Sequence, residues 1–521
     1  MNASDILPVD FNVAAWFVDR PVAEGRGEAP AFHCEGRVLS YADVQELADR
    51  TGNVLRELGV EMEHRVVMVC LDAPEFLGAF WGAIKIGAVP VPVNTLLRAA
   101  DYQYVLEDSR ARVAVVSAAL LGEAEPALRS AANVRHVLVA GGRAPAPFLS
   151  YEERVAQAPR ALQAAPTSRD DVAFWLYSSG STGRPKGAVH LHHDMVISAE
   201  TYAKQVLGFQ ATDKVYSAAK LFFAYGLGNA GYFPMSVGAQ SVLYPHRPTP
   251  DAVFELLTRH RPTLFFGVPT LYAAMLAAKD AARHDLSSLR LCVSAGEALP
   301  ADLYRRWRER FGVEIVDGIG TTESGHIFLS NRPGAVRPGS SGLPVPGYEC
   351  AIVDDEGRPV AAGEMGNLRV RGDSTMAYYW NKHDKTKDTL FGPWIQTGDK
   401  YHRDADGYFW YDGRGDDMLK VGGIWVSPVE VEATLIQHPA VLEAAVVGQE
   451  DEDRLVKPRA YVVLKDPGGA SEELAAALRA FVKDKIAPYK YPRWIDFVPE
   501  LPKTATGKIQ RFKLRAAAAA P

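Results

Sequence analysis

The strongest constraint on this chain is an alternation that continues for roughly 300 residues, in which short apolar runs ending in turn residues are separated by segments of helical periodicity. Val66 to Leu71, Ala88 to Val93, Val113 to Ser117, Val137 to Val139, Val215 to Ala218, Ser241 to Tyr244, Thr263 to Phe266, Leu289 to Val293 and Val313 to Val316 read as buried strands. Ala73 to Ile86, Pro250 to Arg259, Leu271 to Ala282 and Ala301 to Phe311 read as helices between them. Strands that alternate with helices bury both faces of a mostly parallel sheet, so an α/β fold of layered subdomains is expected.

After about Gly342 the pattern changes. Cys350 to Asp354, Gly366 to Arg371 and Tyr408 to Tyr411 read as strands joined by Gly- and Asp-rich turns, a β-rich subdomain. From Pro428 the order becomes helix, strand, strand, helix, then a basic tail, a small α+β unit. The polar run Asp412 to Asp417 is a natural boundary, which divides the chain into 1–415 and 416–521. Arg143 to Arg169, rich in Ala and Pro, reads as a surface connection, and Ala516 to Ala520 as a frayed end.

Composition narrows the function. Lys and Arg number 57 against 63 Asp and Glu, a net charge of −6, which gives no electrostatic footprint for nucleic acid or an anionic membrane. The four cysteines are far apart, so neither a disulfide framework nor a zinc site is expected. Two aspartates among the first ten residues argue against a targeting leader, and Lys85 and two prolines break the most apolar stretch, Phe76 to Val93. A cytoplasmic protein without membrane or nucleic-acid partners is the expectation.

The sharpest local signal is Tyr177-Ser178-Ser179-Gly180-Ser181-Thr182-Gly183-Arg184-Pro185-Lys186-Gly187, directly after the apolar run Val172 to Leu176. Small residues let the backbone approach a polyanion, the hydroxyls donate hydrogen bonds and Lys186 adds a cation, so the segment describes a triphosphate cradle. Pro-Lys-Gly replaces the Gly-Lys-Ser/Thr end of a Walker A loop, which disfavours a P-loop NTPase.

This segment resembles the phosphate loop of the adenylate-forming superfamily of acyl- and aryl-CoA synthetases, and the likeness extends from Leu39-Ser40-Tyr41 to Lys508. The resemblance implies ATP, Mg²⁺ and coenzyme A as cofactors. It also implies a large ATP- and acyl-binding domain, 1–415, and a small mobile domain, 416–521, that carries the catalytic lysine. Gly320-Thr321-Thr322-Glu323 is similar to a family motif in which Thr322 contacts the α-phosphate and Glu323 holds the metal ion. Ile319 stands where the family often has an aromatic residue beside adenine; with Asp317, Gly318, Gly296 and Glu297 it is expected to line the nucleotide site. Asp399 and Arg414 look like the ribose-binding pair. Asp416 matches the hinge, Gly422 and Gly423 the thiol channel, and Lys508, in Pro502-Lys-Thr-Ala-Thr-Gly-Lys508, the reactive lysine.

The acyl site is drawn from Phe223, Ala224, Tyr225, Ala295, Gly320, His326, Ile327 and Lys420. Phe223 replaces a His found in many relatives, and adjacent aromatics followed by small residues border a flat apolar slot. These segments look like the benzoate–CoA ligase branch, which implies a small aromatic carboxylate as substrate, and Ser324-Gly325 leaves room for a ring substituent. The alternatives are a medium-chain fatty acyl–CoA ligase, a peptide-synthetase adenylation module, a luciferase-like oxygenase and a non-catalytic acyl-adenylate binding protein. A homodimer and a lysine acetyltransferase acting on Lys508 remain open partners.

Overall fold

The structure, a computed structural model, describes residues 2–180, 183–279, 281–421, 424–451, 455–503 and 509–518, with the backbone alone at 179, 180, 183, 282, 416, 420, 424, 425, 488, 517 and 518. Two α/β layers form the large part. One holds a five-stranded parallel sheet in the order Val89–Pro92, Arg65–Val69, Val113–Ser117, His136–Ala140, Leu149–Ser150. The other is a nine-stranded sheet whose parallel centre runs Ile315–Gly320, Leu291–Ser294, Leu264–Gly267, Lys214–Ser217, Gln240–Leu243, Pro30–Cys34, with antiparallel strands at both ends. Every residue of Val113–Ser117 and of Leu264–Gly267 is buried, as a strand covered on both faces requires. The alternation in the sequence resolves into strands mostly within a residue or two of their expected ends, the exception being Val313 to Val316, whose strand is Ile315–Gly320; Ala301–Phe311 coincides with its expected helix.

Local chemistry explains the element ends. Ser40 caps the helix Tyr41–Glu57, its hydroxyl accepting from the Asp43 N–H at 3.1 Å while Asp43 returns a bond to the Ser40 N–H. Pro74 opens the buried helix Pro74–Lys85, where a missing N–H costs nothing. Lys85 is tolerated there because its ammonium meets Asp19 at 2.6 Å and also Asp49.

A third, three-stranded sheet pairs Val172–Gly180 with Gly183–Leu191 and Tyr378–Tyr379, all antiparallel. The β-rich region is a five-stranded antiparallel sheet built from Glu349–Val353, Gly366–Arg371, Leu390–Phe391, Trp394–Arg403 and Phe409–Arg414. Beyond it, the small unit packs helices Pro428–Ile436 and Glu472–Lys485 on the strands Val441–Glu450, Val456–Leu464 and Trp494–Phe497 around its own apolar cluster. Its last helix, Arg511–Ala518, is tied down by charge. Arg511 grips buried Glu432 at 2.7 and 2.9 Å, and both Arg511 and Arg515 face Asp417, close to the sequence boundary. Among the described residues no helix is long and apolar enough to cross a membrane.

Two expectations change. The stretch Arg143 to Arg169 is more than a surface connection: it carries the helix Tyr151–Gln157, and buried Tyr151 bonds Thr51 at 2.7 Å. Ala516 to Ala518 continue the helix from Arg511, Ala being the best helix former, while Ala519 and Ala520 lie outside the described residues.

Candidate active site

The Ser/Gly segment is a hairpin. Its first strand runs on through Gly180 and the return strand begins at Gly183, with Ser178 directly opposite Lys186. Cross-strand pairing places a hydroxyl and an ammonium side by side without help from a helix. Ser181 and Thr182 lie outside the described residues, and Ser179, Gly180 and Gly183 contribute backbone only.

A single turn, Thr322–Ser324, meets this hairpin. The Ser178 hydroxyl donates to Glu323 Oε1 at 3.1 Å, and the Tyr379 hydroxyl donates to the same oxygen. Lys186 Nζ lies 4.5 Å from the centre of the Tyr379 ring. Burial pushes the Lys186 ammonium below its usual range, and Glu323 works against that fall. Among the described residues no three His, Cys, Asp or Glu side chains gather into a metal cage. A hard cation that arrives on phosphate oxygens needs few protein ligands. Glu323 Oε2 takes no hydrogen bond among the described residues, so the carboxylate fits that demand.

The turn is braced from behind. His190 Nε2 donates to the Thr322 carbonyl at 2.7 Å, while Nδ1 meets Asp194 Oδ2 at 2.7 Å, and the ring stacks on Phe174. From the front, the Met376 N–H donates to the Glu323 carbonyl at 2.7 Å and the Ser374 hydroxyl to the Ser324 carbonyl at 2.7 Å. Neither His190 nor Tyr379 was visible in the sequence as a site residue. The only trace is a histidine four residues before an aspartate, and a Tyr-Tyr-Trp run that also suits a core strand.

Asp317, Gly318 and Ile319 lie on the strand Ile315–Gly320, which pairs with Ile327–Ser330. Asp317 is buried, accepts the Leu299 N–H at 3.3 Å, and burial pushes its carboxyl up to about 8. Ser294 pairs with Asp317 at the end of the strand Leu291–Ser294; buried Ala295 follows, and Gly296 turns with φ near +92° before Glu297. Asp399 and Arg414 face each other across the pair Trp394–Arg403 and Phe409–Arg414, with Arg414 Nη1 3.0 Å from Asp399 Oδ1. Asp399 holds the guanidinium above its usual range.

On the acyl side, half-buried Tyr225 donates its hydroxyl toward the carbonyls of Val293 at 3.1 Å and Gly267 at 3.2 Å, so the ring is fixed and its polar end is used. His326 is buried, with Nε2 3.1 Å from Asn229 Oδ1 and 3.3 Å from the Tyr225 carbonyl. Two acceptors at Nε2 fix the tautomer with the proton there, and burial pushes the imidazole down to about 3. Phe233 packs on it at 4.5 Å. Phe223 and Ala224 are half-buried just before Tyr225, and Ile327 is buried beside His326. Gly320 cannot carry a side chain, since a Cβ there would lie 2.4 Å from the His326 carbonyl oxygen. The structure therefore brings the Ser178, Lys186, Thr322 and Glu323 group together, and it sets His326 just before the strand Ile327–Ser330 against Tyr225 of the short helix Ala224–Gly226. Gly422, Gly423 and Lys508 lie outside the described residues, and Asp416 and Lys420 are described by backbone alone, in the turn Gly415–Asp417 and the strand Leu419–Val421.

Comparison with known proteins places this geometry. Residues 20–380 match the family described as AMP-binding enzyme, and residues 430–508 match the AMP-binding enzyme C-terminal domain. The chain is 53% identical over 513 residues to a benzoate–CoA ligase of Thauera aromatica, which covers 98% of this chain and 97% of that relative. It is 51% identical over 512 residues to a 4-hydroxybenzoate–CoA/benzoate–CoA ligase of Rhodopseudomonas palustris, at 97% and 94% coverage. The solved anthranilate CoA ligase AuaEII in complex with anthranoyl-AMP superposes with a TM-score of 0.96 at 48% identity, covering 99% of each chain.

Proposed function

This chain belongs to the AMP-binding enzyme family, and on that footing we propose that it is an AMP-forming acid–thiol ligase that converts benzoate, or a close hydroxybenzoate, to its CoA thioester through an aroyl-AMP intermediate. The observation that carries this proposal is the meeting of Ser178 and Tyr379 on Glu323 with Lys186 alongside. Hydroxyl, carboxylate and ammonium converge at one point from three chain segments, which is what a metal–triphosphate requires. The names of the relatives support an aromatic acid, and so does an acyl wall of Tyr225, His326 and Ile327 with no free charge among its described side chains.

A carboxylate is a poor acyl donor because its leaving group would be oxide. Attack of the acid on the α-phosphorus of ATP joins that oxygen to phosphorus as a mixed carboxylic–phosphoric anhydride and releases pyrophosphate; the thiol sulfur then displaces AMP and gives up its proton. Positioning and charge neutralisation do most of the work in such phosphoryl chemistry. Lys186 and the hairpin hydroxyls hold the departing phosphates, and Thr322 the α-phosphate. Asp399, with Arg414, accepts from the ribose hydroxyls. When bound, Mg²⁺ supplies neutralisation of phosphate charge, with Glu323 as its protein oxygen. Asp317, Gly318, Ile319, Gly296 and Glu297 line the adenine side, and Phe223, Ala224, Ala295, Gly320 and Lys420 complete the aryl side. The small domain, 416–521, pivots at Asp416; Lys508 serves adenylation, Gly422 and Gly423 the thiol. Acetylation of Lys508 removes its charge and silences the first half-reaction.

The test is pyrophosphate release over a panel of aryl and alkyl acids, with mass detection of the thioester. Benzoate and hydroxybenzoates should yield aroyl-CoA and AMP. Preference for octanoate would overturn the aromatic assignment, and absence of AMP with every acid would overturn the ligase assignment.

A further inference from the structure

We propose that Tyr379 is a positioning residue of the nucleotide site: one side chain holds the Glu323 carboxylate through its hydroxyl and seats the Lys186 ammonium on its ring, and so sets the spacing between the two charges. The proposal rests on the roles given above to Glu323 and Lys186. Tyr379 is only 4% exposed, yet both faces of its chemistry are engaged, the hydroxyl on Glu323 and the ring 4.5 Å from Lys186 Nζ. The backbone fixes this arrangement. Tyr379 pairs with Ala188 and Tyr378 with Val189, on the strand that carries Lys186, and the Trp380 N–H donates to the Gly187 carbonyl at 2.9 Å.

The same segment reaches the Glu323 turn three times. Ser374 bonds the Ser324 carbonyl, the Met376 N–H bonds the Glu323 carbonyl, and Tyr379 bonds the Glu323 carboxylate. Residues 374–380 therefore form a strap between the hairpin that supplies the cation and the turn that supplies the anion. Left to themselves, an ammonium and a carboxylate that meet the same side chain would tend to form an ion pair and consume the charges that the substrate needs. The Tyr379 ring offers the ammonium a favourable place without neutralising the carboxylate, and its hydroxyl engages Oε1 and not Oε2, which can then turn to a cation.

The test compares Tyr379→Phe, which keeps the ring and loses the hydroxyl, with Tyr379→Leu, which loses both. ATP affinity is measured by calorimetry on the full chain, with magnesium and with a chelator. Tyr379→Phe should weaken binding about tenfold with magnesium, the worth of a hydrogen bond to a charged group, and leave binding in chelator unchanged. Tyr379→Leu should weaken both. Equal loss for Tyr379→Phe in the two conditions, or no loss in either, overturns the proposal, and the Phe variant settles it even if the Leu variant does not fold. Glu323→Gln is the reference. If it too shows no magnesium-specific loss, the assignment of the metal site fails; if it shows that loss and Tyr379→Phe does not, Tyr379 alone is misassigned.

Discussion

Asp317 shows how far a buried side chain departs from its ordinary chemistry. Its carboxyl accepts a long hydrogen bond from the Leu299 N–H, but burial outweighs this and pushes its pKa up to about 8. The folded pKa lies above the unfolded one, so the stability this proton brings is full below the unfolded value of about 4 and is lost as pH rises through about 8. In the ligand-free protein Asp317→Asn should therefore gain thermal stability over the parent as pH rises from about 5 to about 9. The slope it removes is at most about 1.4 kcal/mol per pH unit. Parallel melting curves across that range would show that Asp317 carries no such proton. At this scale the sequence was informative where a side chain acts through its own motif and silent where it acts through a neighbour. Glu323 stands beside Thr322 in a recognisable string, whereas Tyr379 reaches Glu323 across 56 positions and His190 reaches Thr322 across 132. No local pattern announces contacts of that span.

The elements were more legible. Val113–Ser117 could be read from its unbroken apolar run because both faces are covered, and Ala301–Phe311 from its period. The hairpin was harder. Ser and Gly between strands predict a loop, but antiparallel pairing extends the strands to Gly180 and Gly183 because each backbone finds its partner in the other. Close approach also marks where elements cannot vary. Gly342 has φ near +86°, and a Cβ there would lie 2.0 Å from the Ser330 carbonyl carbon, at the point where the rim strand of the nine-stranded sheet meets the β-rich region. Gly342→Ala should destabilise the protein by roughly 2–4 kcal/mol, from strain and clash together. A denaturant midpoint unchanged from the parent would show that the junction yields instead.

At the scale of the molecule, the two-part proposal makes its own demand. If Lys508 bridges carboxylate and α-phosphate only during adenylation, Lys508→Ala should slow adenylate formation by roughly 10²–10³, about 3–4 kcal/mol of transition-state stabilisation, and spare thioester formation from supplied aroyl-AMP. Measuring the two half-reactions separately checks this, and equal loss in both would remove the lysine from its proposed role. The resting geometry adds a mechanical corollary. Arg511 and Arg515, just downstream of Lys508, are clasped to Asp417, next to the proposed pivot, and Arg511 also to Glu432 on the first helix of the small unit. The beginning and the end of that unit are thus riveted together beside Asp416. If the unit pivots there as proposed, these clasps make it turn like a single-throw lever, withdrawing the lysine in the same stroke that admits the thiol, and the reactive anhydride is spared a half-open vestibule where water would take the place of sulfur.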